Sequence, residues 1–119
     1  MALHCAATLL LARLGDEQWT RSVAERVRAE HVARVWSGSA PAARAQARLA
    51  AGLLGVDAVV LAGVEPEAAG STGADGAYRA ALDEIADLHR GETVLVLTGH
   101  VEHDLQRLEI GDDGWRVLP

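Results

Sequence analysis

Three side chains suited to holding an anion stand at comparable places in this chain of 119 residues. Arg13 ends an apolar run, Arg44 lies one turn beyond Pro41, and His100 follows a second apolar run and Gly99. A guanidinium presents a planar fork that matches phosphate or carboxylate oxygens bidentately. A helix beginning near Pro41 would also aim its free first-turn N–H groups at the same place. The chemistry on offer is therefore capture of an oxyanion. The run Leu9-Leu10-Leu11-Ala12-Arg13-Leu14-Gly15 ends on one Arg and a Gly, without a nucleophilic side chain.

The elements that must position these groups follow from apolar spacing. Residues 5–13 have the length and character of a strand, and a Gly15-Asp16 turn leads into a helix expected over Glu17–Val32, with Val23, Ala24 and Val27 on one face. A short segment, Ala33–Ser37, carries Val35 and Trp36 and runs into the Gly38-Ser39-Ala40-Pro41 loop. A second helix is expected over Ala42–Leu54, with Leu49, Ala50, Leu53 and Leu54 recurring at helical spacing and Gly55 as its stop. Asp57–Ala62 then reads as a buried strand, residues 63–76 as a long loop, and Ala77–His89 as a helix with Ala81, Ile85 and Leu88 inward. Thr93–Thr98 is the clearest buried strand, and the tail around Gly111-Asp112-Asp113-Gly114 has the pattern of a hairpin.

Alternating strands and helices imply an α/β three-layer sandwich: a mostly parallel sheet with helices on both faces and a C-terminal antiparallel hairpin, as one domain over 1–119. Arg13, the Ser37–Pro41 loop and Gly99-His100 then all fall at carboxyl ends of strands, where ligands of open α/β sheets bind.

Composition narrows the partners. A net charge of −6 argues against nucleic acid and anionic membrane surfaces, which need clustered positive charge. Half the residues are apolar but only 3% are aromatic, with no Phe, so the core must be packed from Ala, Val and Leu in close layers. The basic residues are all Arg, the mark of a GC-rich genome. Cys5 is the only cysteine and reads as a small hydrophobe, not as half of an internal disulfide. With no signal-like N-terminus and no apolar run near the ~20 residues of a membrane span, the chain is expected to be soluble and cytoplasmic.

Three blocks, in order, carry a family resemblance. Leu10-Leu11-Ala12-Arg13-Leu14-Gly15 resembles the Arg-His-Gly strand end of the histidine phosphatase superfamily, also called the phosphoglycerate mutase family. Val35-Trp36-Ser37-Gly38-Ser39-Ala40-Pro41 with Arg44-Ala45-Gln46 is similar to its Ser-Ser-Pro-Leu block with the following Arg-Ala and Gln. Val94-Leu95-Val96-Leu97-Thr98-Gly99-His100 is similar to the third block as it stands in the short phosphohistidine-phosphatase-like members. In larger members that strand ends in Ser-His-Gly, an alignment that would put Gly99 on the family's second His.

The resemblance implies that Arg13, Arg44 and His100 clamp a phosphoryl group, and that position 14 belongs to the nucleophilic His; without the resemblance, Arg13 and Arg44 read as surface or structural ion pairs with Asp16, Glu17 or loop acids. Position 14 is Leu. An alkyl side chain has no lone pair with which to accept a phosphoryl group, so the phosphohistidine route is closed. The family's general acid would come from the long loop, where Glu65 and Glu67 are weak candidates separated by Pro66.

The implied function is a catalytically degenerate phosphatase-like domain that binds phosphate or a small phosphomonoester without hydrolysis and without a cofactor. Two alternatives stand beside it: a scaffold with a vestigial site that serves a homodimer or a protein partner, or a weak phosphatase that uses a water or another side chain, such as Glu17 or Glu65, in place of the phosphohistidine. The segment His100-Val101-Glu102-His103-Asp104 matches no common zinc spacing and is expected to be a solvated turn, with no metal. His4, His31 and His89 are expected at the surface or at caps, and Trp19 and Trp36 in core or edge packing.

Overall fold

The computed structural model describes residues 6–64, 74–98, 104–112 and 114–118. The strands are β1 (Ala7–Arg13), β2 (Val32–Ser37), β3 (Asp57–Val60), β4 (Thr93–Thr98), β5 (Leu105–Gly111) and β6 (Gly114–Leu118). The helices are α1 (Glu17–Val27), α2 (Pro41–Leu54) and α3 (Ala74–Leu88). The six strands form one sheet in the order β3-β2-β4-β1-β5-β6. β1 to β4 run parallel where they pair, and β5 and β6 add an antiparallel hairpin edge.

Both faces of the centre are covered, which is why β1 and β4 are continuously apolar instead of alternating. Leu10, Ala12, Leu95 and Leu97 pack under α1 and α2 with Val23, Val27, Ala47 and Ala50. Leu9, Leu11, Val94 and Val96 face the other way and pack under α3 with Leu82 and Ile85. The α/β sandwich with a terminal hairpin expected from the sequence is the observed architecture. Among the described residues no helix is long and apolar enough to cross a membrane.

Several local expectations are corrected. Helix α1 stops at Val27, not Val32; a 3₁₀ turn over Arg28–Glu30 and a left-handed His31 (φ 58°) reverse the chain. Val27 is the last residue the helix can set on the sheet, and Val32 is buried as the first residue of β2 instead. The strand at 57 is not buried. It ends at Val60, lies at the sheet edge and is largely exposed, with Val60 itself 46% exposed. A short apolar run does not reveal whether it has one neighbour or two.

Helix α2 turns its alanines inward, burying Ala43, Ala47, Ala50 and Ala51 and leaving Leu49 and Leu53 at the margin. Small side chains there let the helix sit close to the sheet. Helix α3 begins at Ala74, three residues before the expected start, and buries Ala81, Leu82, Ile85 and Ala86, whereas Leu88 is 59% exposed.

Candidate anion-binding site

The strand register sets the site. Arg13 pairs with Thr98, and Leu97 pairs with both Ala12 and Ser37, so β1, β4 and β2 end side by side at one edge of the sheet. The ends of three segments far apart in sequence share that edge, as the block order implied.

Arg13 is held there by its surroundings. Its amide donates to the Asp104 carbonyl (3.0 Å), its Nε donates to the Asp104 carboxylate (3.0 Å), and its Nη1 donates to the Leu14 carbonyl (3.3 Å). The guanidinium lies 4.4 Å from the centre of the Trp19 ring, and Arg26 approaches the same ring at 5.4 Å. Trp19 in turn donates from its indole Nε1 to the Arg13 carbonyl at 2.7 Å, which locks the last residue of β1 to the first turn of α1. That turn is fixed by Asp16, whose side chain caps the Trp19 amide at 2.8 Å.

Gly15 is required by a close approach. A Cβ at this position would meet Trp19 Cγ at 2.8 Å and Trp19 Cβ at 3.0 Å. Its amide donates to Gln46 Oε1 (3.0 Å), which also accepts from the Thr20 hydroxyl (3.3 Å). Gln46 therefore ties α2 to the turn after Arg13. The sequence marked Gln46 only as part of a block; a Gln on a helix face beside a Gly turn carries no signal of that bond. Trp19 and Asp104 were equally unforeseen as partners of Arg13. Leu14 is half-buried and packs against the cluster under α1 and α2.

Arg44 sits one turn into α2, whose first residue is Pro41 and whose N-cap, Ala40, supplies no side-chain cap. It lines a cavity of about 290 Å³ with Ser37, Ser39, Arg48, Ala58 and Val60, between α2 and the β2–β3 edge. Arg13 does not line this cavity. The structure thus brings Arg13 to the shared strand edge and gives it a carboxylate partner, while Arg44 faces the neighbouring cavity. His100, Glu65 and Glu67 lie outside the described residues, as do His103 and His4. Glu17, an alternative nucleophile, is exposed and paired with Arg21 at 3.2 Å.

Among the described residues no group of His, Cys, Asp and Glu is arranged to hold a metal. His89, expected at the surface or at a cap, directly follows the last residue of α3 and is buried, at 5% exposure. Its Nε2 accepts from Trp36 Nε1 (3.1 Å) and its Nδ1 meets Glu92 Oε1 (2.9 Å). Trp36 is buried in the core, as expected. Trp19 is half-buried at the rim.

No protein-family model matches this chain, and no curated protein matches it by sequence. Solved structures do match its fold. Phosphoglycerate mutase from Plasmodium falciparum superposes with a TM-score of 0.67 at 9% identity, over 97% of this chain and 90% of that one. A protein assigned as the phosphohistidine phosphatase SixA from Agrobacterium tumefaciens superposes with a TM-score of 0.55 at 10% identity, over 94% of this chain and 95% of that one. The chain therefore shares the fold of these two proteins.

Proposed function

We propose that this domain holds inorganic phosphate or a small phosphomonoester at the carboxyl ends of β1, β2 and β4 and does not hydrolyse it. Arg13, Arg44 and His100 are the clamp, and Leu14 takes the place of the nucleophilic imidazole. The observation that carries this reading is the register: Arg13 pairs with Thr98, two residues before His100, while Ser37 at the end of β2 leads into the Pro41 helix start. The fold's likeness to phosphate-handling proteins supports the same ligand class.

The Arg13–Asp104 pair does not oppose it. Both side chains are about half exposed, at 47% and 59%, and an exposed pair of this kind contributes only ~0–1 kcal/mol. A dianion can compete for such a guanidinium, whose Nη2 has no bond to another residue among the described ones. Calorimetric titration with inorganic phosphate and phenyl phosphate tests the proposal: saturable binding without release of phenol is the expected result. Absence of binding at millimolar ligand would reject it.

A second reading, a scaffold for a protein partner or a second copy of the chain, draws on the exposure of Val60 on β3 and Val117 on β6, the two edge strands of the sheet. Light scattering separates the two, because the scaffold requires association and the phosphate site does not.

A further inference from the structure

We propose that the open edge of β3 receives an extended acidic segment of a partner protein, which adds a strand to the sheet and sets carboxylates at alternate positions against Arg44 and Arg48. β3 ends the sheet, pairs in parallel with β2 and has no strand on its other side. The Leu61 amide donates to the Ser37 carbonyl at 2.8 Å, so the backbone groups turned toward β2 belong to Asp57, Val59 and Leu61. The N–H and C=O groups of Ala58 and Val60 therefore point outward, and among the described residues nothing bonds them. Such an edge is a template for strand addition.

Charge decides what the edge accepts. Arg13, Arg21, Arg28, Arg90, Arg107 and Arg116 each have a carboxylate, and Arg26 and Arg79 each lie over a tryptophan ring. Among the described residues Arg34, Arg44 and Arg48 have neither kind of partner, although the chain carries an excess of acids. All three flank β3. Arg34 is the register partner of Asp57, the acid of that strand, without an ion pair to it. Arg44 and Arg48 line, with Ala58 and Val60, the cavity between α2 and the same edge. The opposite edge strand offers no such open charge, since Arg116 on β6 is paired with Glu109 and Arg79 is stacked on Trp115.

Spacing gives the pattern of the partner. Arg44 and Arg48 are four apart on α2, about 6 Å along the helix, and residues two apart on one face of a strand are separated by about 6.6 Å. Helix α2 returns from the end of β2 to the start of β3 and so runs antiparallel to the edge. Side chains of an added strand that face α2 therefore recur at the arginine spacing, and an acid at every second position places one carboxylate by each guanidinium. The net charge of −6 repels acids from the rest of the surface, which makes this contact local and salt-sensitive. The inference rests on the scaffold reading and narrows it to one edge and one partner chemistry; it requires neither bound phosphate nor Arg13 nor His100.

Amide NMR signals of the full chain, followed during titration with a short peptide of alternating Glu and Val, locate the contact. The expected result is saturable movement of the Ala58 and Val60 amides with slowed hydrogen exchange at both, and none with the same peptide carrying Gln for Glu. Arg48→Gln should weaken the midpoint about two- to fivefold, the worth of one exposed charge pair. Val60→Pro removes an outward N–H at an edge position, where proline is tolerated, and should abolish the saturable movement. Unmoved Ala58 and Val60 amides at millimolar peptide, or equal midpoints for the Glu and Gln peptides, would overturn the proposal. Movement confined to Trp115 and Val117 on β6 would overturn it too, while leaving a scaffold role in place. Protection of Ala58 and Val60 that rises with protein concentration in the absence of peptide would assign the edge to a second copy of the chain and overturn the acidic partner.

Discussion

Gly15→Ala puts the geometry of the Arg13 strand end to a quantitative test. The added Cβ would fall 2.8 Å from Trp19 Cγ and 3.0 Å from Trp19 Cβ, at the root of the side chain, where a rotamer change cannot relieve it cheaply. Forcing a methyl into such a contact costs about 1–3 kcal/mol. Swinging Trp19 aside instead forfeits its indole bond to the Arg13 carbonyl, about 1 kcal/mol, and the contacts of two guanidinium groups with the ring, about 0.5–1 kcal/mol each. Either route costs about 2 kcal/mol. Against it, replacing Gly by Ala removes freedom from the unfolded chain and contributes about 0.4–1 kcal/mol of stability. The net loss is about 1–1.5 kcal/mol. With an unfolding entropy of about 2.1 cal/mol/K per residue, a chain of this length loses about 4 °C in Tm per kcal/mol, so the variant should melt about 4–6 °C lower. In a Trp19→Ala background the obstruction is gone and only the unfolded-state term remains, so the same Gly15→Ala change should raise Tm by a few degrees. Thermal unfolding of the four proteins in the cycle measures both. Equal destabilisation in the two backgrounds would refute the close approach of Gly15 to Trp19 and with it the account of how Arg13 is held.

Gln46→Leu should cost about 1–3 kcal/mol, because the Gly15 amide loses its acceptor in a part-buried setting, whereas the Thr20 hydroxyl keeps the Asp16 carbonyl at 2.9 Å; chemical denaturation reads the loss, and an unchanged midpoint would contradict it. Burial pushes the Tyr78 phenol up, opposed in part by the Thr98 hydroxyl, so its phenolate should appear only above the ordinary tyrosine range. The chain has one Tyr, so an ultraviolet titration reports this group alone. Because the folded state holds that proton more tightly, this stabilisation is fully present below the unfolded tyrosine value and is lost as pH rises through the folded one, a slope that Tyr78→Phe should remove. An indole N–H can only donate, so His89 Nε2 must be the acceptor and Nδ1 must carry the proton toward Glu92. Nitrogen shifts showing an Nε2–H tautomer would contradict this buried link.

The parts of the fold that were legible are those that local spacing controls. Thr93–Thr98 is bounded by glycines and rich in β-branched residues, Pro41 can only begin a helix, and the Gly111–Gly114 pair encloses a two-residue turn; all three were read with the observed bounds or within a residue of them. What failed depends on neighbours that sequence does not name. Asp57–Val60 is apolar enough for a core strand but sits where the sheet ends. Leu88 continues the helical pattern of α3 beyond the last residue the sheet can cover, so it faces solvent. His89, one position on, is buried where Trp36 offers it an indole proton from β2. At the candidate site the strand-end placement of Arg13 was legible, whereas Asp104 as its carboxylate, ninety-one positions away, was not.

Leu14 is where the phosphate-binding reading and the scaffold reading part most sharply. Its side chain is half-buried against the cluster under α1 and α2. A half-buried leucine gains about 1 kcal/mol from the apolar area it covers, roughly half the value of full burial. An imidazole there would surrender most of that gain, so Leu14→His should lower stability by about that amount under either reading. Its effect on chemistry is what differs. If Arg13, Arg44 and His100 are placed to hold a phosphoryl group, an imidazole at position 14 restores the covalent nucleophile, a group whose removal from a well-studied protease costs on the order of a million-fold. Recovery of even a small part of that factor would make hydrolysis of an activated aryl phosphate measurable, with an acid-labile phosphoryl group on the protein. Activity that rises while stability falls is the expected pair of results. A folded Leu14→His protein that is less stable, takes no phosphoryl group and releases no phenol would mean that the clamp does not surround position 14, and the strand ends would then be a phosphatase site in outline only.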